Sequence, residues 1–381
     1  MKKLYTILAI AAVAAVGCSK TEVGSDSLLS NEKINFEVAS FMDQTKAAGD
    51  AATTLNAEGF TTFYTYANLF PEIGDTQVYM NNVAVNYSDS PKQWAPARDY
   101  YWPKAAGSYI NFYSYVNTAS QDPEITFNSE KTVATAAYTN KTIVAADNIL
   151  LADAALKQNG NLSTYTTISG VSGVPTLFRH LLAKVAFKVQ VVTTNEKKSE
   201  NTKFVVTILN TGETLSNVKA NNKGSYTVYN KFNDTKGTLA WSANNDGTGV
   251  APTVWDPTSG VETISFLTPA LTLAKNTVSS GDPVDLLKER SVMPQTFDDD
   301  NDFTLSYKVD TYYDEEASPY MSETFKVTGK LATLVNTIAA WNKNTKITYT
   351  IKIDPVGNKV TFDPAVEEWG TGEGQLAIPL S

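Results

Sequence analysis

Two residue types that could act as a nucleophile or as a soft metal ligand occur once each in 381 residues, Cys18 and His180. A nitrogen or sulfur metal site needs several convergent ligands, and a general base needs a nucleophile and an orienting group beside it. Neither residue makes a site alone. His180, in "TLFRHLLAKV", opens a long alternating segment and reads as a structural or inter-domain residue. The carboxylates offer one oxygen-rich run, "DDDND" at 298–302, where Asp298, Asp300 and Asp302 have the opening spacing of an EF-hand loop. Phe303 stands where that loop needs glycine and Val309 where it needs a bidentate glutamate. The run therefore reads as a solvated hairpin loop, with a loose calcium site as the alternative, and "DEEAS" at 314–318 reads the same way. The chain carries no Walker loop, GxSxG elbow, HExxH pair or dinucleotide fingerprint. It is not expected to be an enzyme, and no cofactor or metal is expected.

The neighbours of Cys18 say what its thiol is for. Lys2 and Lys3 precede an apolar run, Leu4 to Val16. That run is about thirteen residues long, short of the ~20 that span a bilayer but right for the apolar core of an export signal. Ala15-Val16-Gly17-Cys18 follows, and this resembles the lipobox of bacterial lipoproteins, which are cut before the cysteine. The resemblance implies diacylglycerol on the Cys18 sulfur and a further acyl chain on its amine. At ~0.8 kcal/mol per buried CH₂, two or three chains anchor a protein essentially permanently. A plain secretory signal with an incidental cysteine is the other reading. With Cys18 lipidated, the exported part has no thiol for a disulfide or a zinc site.

The elements that must carry any site are strands. Tyr (19), Phe (16) and Thr are abundant, and charged residues are only 19% with a net charge of -9, which disfavours nucleic acid as a partner. "KINFEV" alternates Ile34, Phe36 and Val38, and "LLAKVAFKVQVV" (181–192) alternates apolar and polar residues throughout. Further strands are expected at 59–66, 108–116, 203–209, 224–230, 261–267, 302–313, 346–353 and 358–362, with a hairpin in "QVYMNNVAV" (77–85) turning at Asn81-Asn82. "LATLVNTIAAWN" (331–342) spaces its apolar residues as a helix would and reads as a single helix or a loop. Many short strands without βαβ alternation indicate β-sandwiches, so the fold class is all-β.

One aromatic cluster, "QWAPARDYYWP" (93–103), has two readings. Trp94, Tyr101 and Trp102 could form a sugar-stacking ligand platform, or they are core. The same stretch extended, "QWAPARDYYWPKAAGSYINFYSYV", resembles a signature of the fimbrillins, the type V pilins and fimbrillin-like lipoproteins of Bacteroidota. "DNILLADA" (147–154), "LFRHLLAKVAFKVQV" (177–191), "VMPQTF" (292–297) and "KITYTIKI" with the late Trp369 resemble further segments of that family, in the same order.

The resemblance implies two transthyretin-like Greek-key β-sandwich domains in tandem on an outer-membrane, cell-surface lipoprotein. Signal peptide 1–17, lipidated tether 18–32, a first domain at 33–165 and a second at 166–381 follow, the boundary lying in the Gly/Ser/Thr-rich stretch near 160–176. It further implies proteolysis after a basic residue, loss of the first strand, and refilling of its groove by another subunit's strand. Lys46-Ala47 in "QTKAAGD" is the matching bond, Lys33 a weaker one, and Ile34, Phe36 and Val38 mark the displaced strand within 33–46. Leu376, Ile378 and Leu380 in "EGQLAIPLS" alternate as a donor strand would, or as an ordinary last strand. Three or four buried aliphatic side chains contribute ~5–12 kcal/mol, against an association cost of about 4–15 kcal/mol. The expected partners are other pilus subunits, the outer membrane through the lipid, and surface ligands. The expected role is a stalk or tip subunit of an adhesive pilus. A surface lipoprotein that binds glycan without polymerising is the alternative.

Overall fold

A computed structural model describes residues 29–40, 59–116, 122–152, 154–160, 173–195, 200–232, 239–242, 254–258, 260–297, 301–314, 316–335 and 337–369. Cys18, Lys46, Ala47, Leu376, Ile378 and Leu380 lie outside the described residues. The described chain is all-β, as its alternation predicts. In Ala183–Val191, for example, Val185, Phe187, Val189 and Val191 are buried while Lys184, Lys188 and Gln190 stay half-exposed.

The first sheet runs in the spatial order Leu150–Ala152, Val174–His180, Phe36–Ser40, Lys92–Pro96, Gln77–Asp89, Thr62–Phe70, Tyr109–Tyr115 and Ala155–Gln158. Leu151 also pairs with Tyr115, so the sheet curls until it meets itself. Closure leaves few unpaired edges and encloses a core that includes Ile34, Phe36, Val38, Phe63, Trp94, Phe112 and Phe178. A second core lies between two layers. One layer is Val284–Val292, Ala183–Val191, Thr345–Asp354 and Lys359–Glu368. The other is Val261–Ser265, Asn217–Asn221, Asp302–Tyr313, Thr202–Leu209 and Ala270–Leu273, with Met321–Lys330 along the far side of Asp302–Tyr313. Phe187 fills the space between the layers, its ring 4.6 Å from Tyr349 and 5.2 Å from Phe266.

A third sheet ties the halves of the chain together. Val133–Thr142 pairs antiparallel with Lys223–Phe232, flanked by Glu124–Phe127 on one side and Leu239–Ser242 on the other. Its apolar residues meet Tyr115, Leu181, Met293 and Trp369 in a core of its own, where the Trp255 indole N–H donates to Leu181 O at 2.9 Å. Nearby, the Gln295 side chain satisfies a buried polar cluster. Its Nε2 donates to Asn221 O and Met293 O, while its Oε1 accepts from Asn221 N and Asn301 Nδ2.

Several expectations change in the structure. Asn81-Asn82 is no hairpin turn: Gln77–Asp89 is one strand, and both of its parts pair with Thr62–Phe70. Asn82, at φ 52°, makes a bulge there, and the Tyr115 hydroxyl donates to its Oδ1 at 2.9 Å. The strand expected over 181–192 starts at Ala183, because Leu181 and Leu182 carry the chain from the first sheet to the second core. Val174–His180, assigned by sequence to the second unit, belongs to the first sheet and places Val174 and Phe178 in its core. The helical spacing of 331–342 yields one turn, Leu331–Leu334, followed by the short strand Ala340–Trp341. Asp302 from the acidic run is held by Lys330 and Lys219, at 2.8 and 3.3 Å.

Candidate functional site

The segment expected to leave is built into the first core from its beginning. Leu29–Lys33 pairs antiparallel with Tyr101–Pro103, and the Ile34 amide donates to Tyr100 O at 2.8 Å. The Tyr101–Pro103 strand is itself clamped by Tyr79, whose hydroxyl donates to Tyr101 O at 2.7 Å and accepts from Tyr101 N at 2.9 Å. Burial pushes that phenol up to about 12, so it stays a neutral hydroxyl able to make both bonds.

Phe36–Ser40 then enters the sheet between two unequal neighbours. On one side it runs parallel to Val174–His180 along its whole length, from Phe36↔Val174 to Ser40↔Phe178. On the other it meets Lys92–Pro96 only at Phe36↔Trp94. Side chains hold what the second ladder does not. Ile34, Phe36 and Val38 are 1%, 3% and 0% exposed. The Phe36 ring stands edge-on to Phe63 at 5.4 Å and to Phe112 at 5.5 Å. Phe63 in turn touches Trp94 at 5.4 Å and Phe178 at 5.3 Å. At about 1.5–3 kcal/mol for each fully buried side chain, the three residues contribute ~5–9 kcal/mol to holding the strand.

The wall of the slot is fitted closely at one glycine. A Cβ on Gly173 would lie 2.9 Å from both Asn35 O and Phe36 C, so only glycine lets Val174–His180 approach this backbone. The adjacent Val174 amide donates to Asn35 O at 2.8 Å. Outside the slot, half-burial pushes the Glu37 carboxyl up from its ordinary value.

The structure separates the sequence-predicted residues into three groups. Ile34, Phe36 and Val38 come together in the slot. Trp94 and Trp102 do not form an exposed platform: they are 0% and 5% exposed, and of the three platform residues Tyr101 alone is partly open. Trp94 packs on Phe63 and Tyr87, turned inward by alternation in the curled sheet, and Trp102 packs on Phe112 from the short Tyr101–Pro103 strand that pairs with Leu29–Lys33. Lys46-Ala47 and the 376–380 alternation fall outside the described residues; Lys46 lies in the connection between Ser40 and Gly59. Sequence reasoning missed Gly173 and the role of Val174–His180 as the slot's wall, although the alternation of Val174, Thr176 and Phe178 marks a strand. It also missed the partner of His180. That ring is buried, its Nδ1 donates to Asn148 Oδ1 at 2.7 Å, and it stacks on Trp369 with centroids 4.0 Å apart.

No protein-family model matches the chain, and no curated protein matches it in sequence. Solved structures do. A fimbrial protein from Bacteroides vulgatus is similar at 16% identity and a TM-score of 0.48, over 89% of this chain and 100% of the other. A protein assigned to cell adhesion in Bacteroides uniformis is similar at 15% identity and a TM-score of 0.40, over 91% and 100%. The fimbrial anchor protein Mfa2 of Porphyromonas gingivalis is similar at 10% identity and a TM-score of 0.28, over 89% and 97%. Each of these similarities extends over most of this chain and nearly all of the other.

Proposed function

We propose that this chain is a fimbrillin-type subunit of an adhesive surface fimbria, exported as an outer-membrane lipoprotein through Cys18 and assembled by strand exchange. Cleavage at Lys46-Ala47 frees the N-terminal segment that carries Phe36–Ser40, and a strand from another fimbrial subunit takes its place. The observation that carries this reading is the seating of Phe36–Ser40. The strand is fully laddered to one neighbour, barely laddered to the other, and held by the buried side chains of Phe36, Val38 and the preceding Ile34 in a core with Phe63, Phe112 and Phe178. A strand seated this way leaves one continuous apolar slot when it goes, and any extended segment with three alternating apolar residues fits it.

The test is uptake of a replacement strand. The purified chain is cut with a trypsin-like protease, then mixed with a labelled peptide of its own sequence, KINFEVASF. The chain cut at Lys46 takes up the peptide and releases its N-terminal fragment; the uncut chain and the Lys46→Gln variant take up none. A chain cut at Lys46 that keeps its fragment and binds no peptide ends the proposal. The lipid step is read separately, since Cys18→Ala moves the protein from membranes to the soluble fraction.

A further inference from the structure

The layer of the second core that contains Asp302–Tyr313 turns a basic face outward, and we infer that this face binds an extended acidic polysaccharide. Such a ligand gives the adhesive role a target, and its binding does not need strand exchange. Alternation sets the face. In Asp302–Tyr313, Phe303, Leu305, Tyr307 and Val309 point into the core, so the residues between them point out. The same parity turns Lys203 outward beside Phe204, Lys219 beside Val218 and Lys326 beside Phe325. Lys308 and Lys330 complete a group of five lysines. Among the described residues the strands of this face turn only two carboxylates outward, Asp302 and Asp310; Glu323, in step with Phe325, points to the other side.

Pairing within the face shows where its positive charge lies. One oxygen of Asp310 meets Lys308 at 2.7 Å and the other accepts from the Ser322 hydroxyl. Lys219 and Lys330 share Asp302 at 3.3 and 2.8 Å. Lys326 is exposed and lies opposite Ser306. Lys203 rests on the Tyr312 ring, its ammonium 4.3 Å from the ring centre. The face is thus positive on a chain whose net charge is -9. The opposite layer of the same sandwich is balanced. There Lys184 and Lys346 meet Glu289, Lys188 meets Asp285 and Lys352 meets Asp363. Lys346 also lies opposite Glu367.

The spacing of the lysines selects a polymer. Lys203, opposite Tyr312, and the Lys219–Lys330 pair at Asp302 mark the two ends of one strand. They stand about 33 Å apart at ~3.3 Å per residue, with Lys308 and Lys326 between them. A small anion reaches one end of such a row, whereas an extended polyanion lies along it and meets every cation. The rest of the face suits sugar. Thr207 and Thr324 flank Lys308 on its two neighbouring strands and offer hydroxyls beside the charge. Tyr320, 61% exposed, stands at the Lys203 end, where its amide donates to Thr311 O at 2.9 Å. A tyrosine presents an apolar ring face to stack on a pyranose and a hydroxyl to bond its edge. The acidic remainder of the chain repels a polyanion, so the protein's field steers it to this face.

The experiment measures binding of the uncut full chain to immobilised chondroitin sulfate at about 0.1 M salt, where the Debye length is about 10 Å. Neutral dextran and duplex DNA are the comparison surfaces. The parent binds chondroitin sulfate and not dextran. Lys203→Gln with Lys326→Gln weakens that binding about 30-fold, each cation at an anionic surface being worth roughly a factor of five. Lys188→Gln with Lys352→Gln removes the same charge from the balanced layer and stays within about twofold, since that layer lies a Debye length away. Tyr320→Ala weakens binding about 2- to 10-fold on chondroitin sulfate alone. Both lysine pairs melt within about 4 °C of the parent, as exposed substitutions do. Should the first pair misfold, Lys326→Gln by itself shows about a fivefold loss. No binding by the parent, or equal losses in the two lysine pairs, overturns the inference. Duplex DNA held as tightly as chondroitin sulfate, with Tyr320→Ala unchanged on both, overturns it as well, because the face then reads charge alone. None of these outcomes touches the slot, which peptide uptake after cleavage reads separately.

Discussion

Replacing Phe36 with alanine measures how firmly the early strand is built into the first core. The ring is 3% exposed and wedged edge-on between Phe63 and Phe112 at 5.4 and 5.5 Å, both of them carried on strands of the sheet. A fully buried Phe→Ala change costs ~3–5 kcal/mol, the lost transfer energy plus the cavity left behind. In the uncut chain this appears as a drop in the melting temperature of the first core, roughly 10 °C at about 2–4 °C per kcal/mol for a unit of this size. After cleavage at Lys46 the same contacts join two separate pieces. The energy then becomes fragment affinity, about 100- to 4,000-fold weaker at 1.4 kcal/mol per tenfold. Differential scanning fluorimetry reads the first effect, and native mass spectrometry of the cut protein reads the second. Val78→Ala, on an exposed side chain of the same sheet, changes neither. If Phe36→Ala melts within about 2 °C of the parent, well under the change expected for a cavity, Phe36–Ser40 is not part of the cooperative core. The exchange argument would then lose its basis.

Glu37 makes strand retention pH-dependent. Its carboxyl is pushed above the ordinary 4.5 by burial, so its protonated form favours the seated strand. That contribution is complete below about pH 4.5 and is lost as pH rises through the folded value. In the cut protein, fragment release is slower at pH 5 than at pH 7, and Glu37→Gln holds the strand at pH 7 and flattens the profile; a parent profile that is itself flat refutes this. Gly173→Ala drives a methyl group into the backbone of Asn35 and Phe36, a strain of about 1–3 kcal/mol that accelerates fragment release about 10- to 100-fold by the same native mass spectrometry. Gln295→Ala leaves the Asn221 amide and the Asn301 side chain without their buried acceptor, and urea unfolding shows a loss of about 3 kcal/mol, whereas the exposed Thr296→Ala stays within about 0.5 kcal/mol.

Alternation along the chain determined most of the strands. Phe303, Leu305, Tyr307 and Val309 alternate with polar residues over the same twelve positions that form Asp302–Tyr313, because a strand half-buried in a sheet writes its two faces directly into the sequence. The buried triplet Ile34, Phe36 and Val38 was legible for the same reason. Tertiary structure decided what lies beside each strand, since a period of two records that a face is buried but not by what. Only the fold shows that Phe36–Ser40 is fully paired to Val174–His180 and touches Lys92–Pro96 at one residue, or that Gly173 is the point of closest approach. The aromatic run around Trp94 and Trp102 is ambiguous in sequence because an exposed stacking platform and a core use the same side chains. The curl of the first sheet, closed where Leu151 meets Tyr115, turned Trp94 inward, and the pairing of Tyr101–Pro103 with Leu29–Lys33 set Trp102 against the same core, which removed the platform. Residues 82, 181 and 182 were misread for a related reason. A bulge and a crossover between sheets each occupy only a residue or two, too few to disturb the local alternation that flanks them.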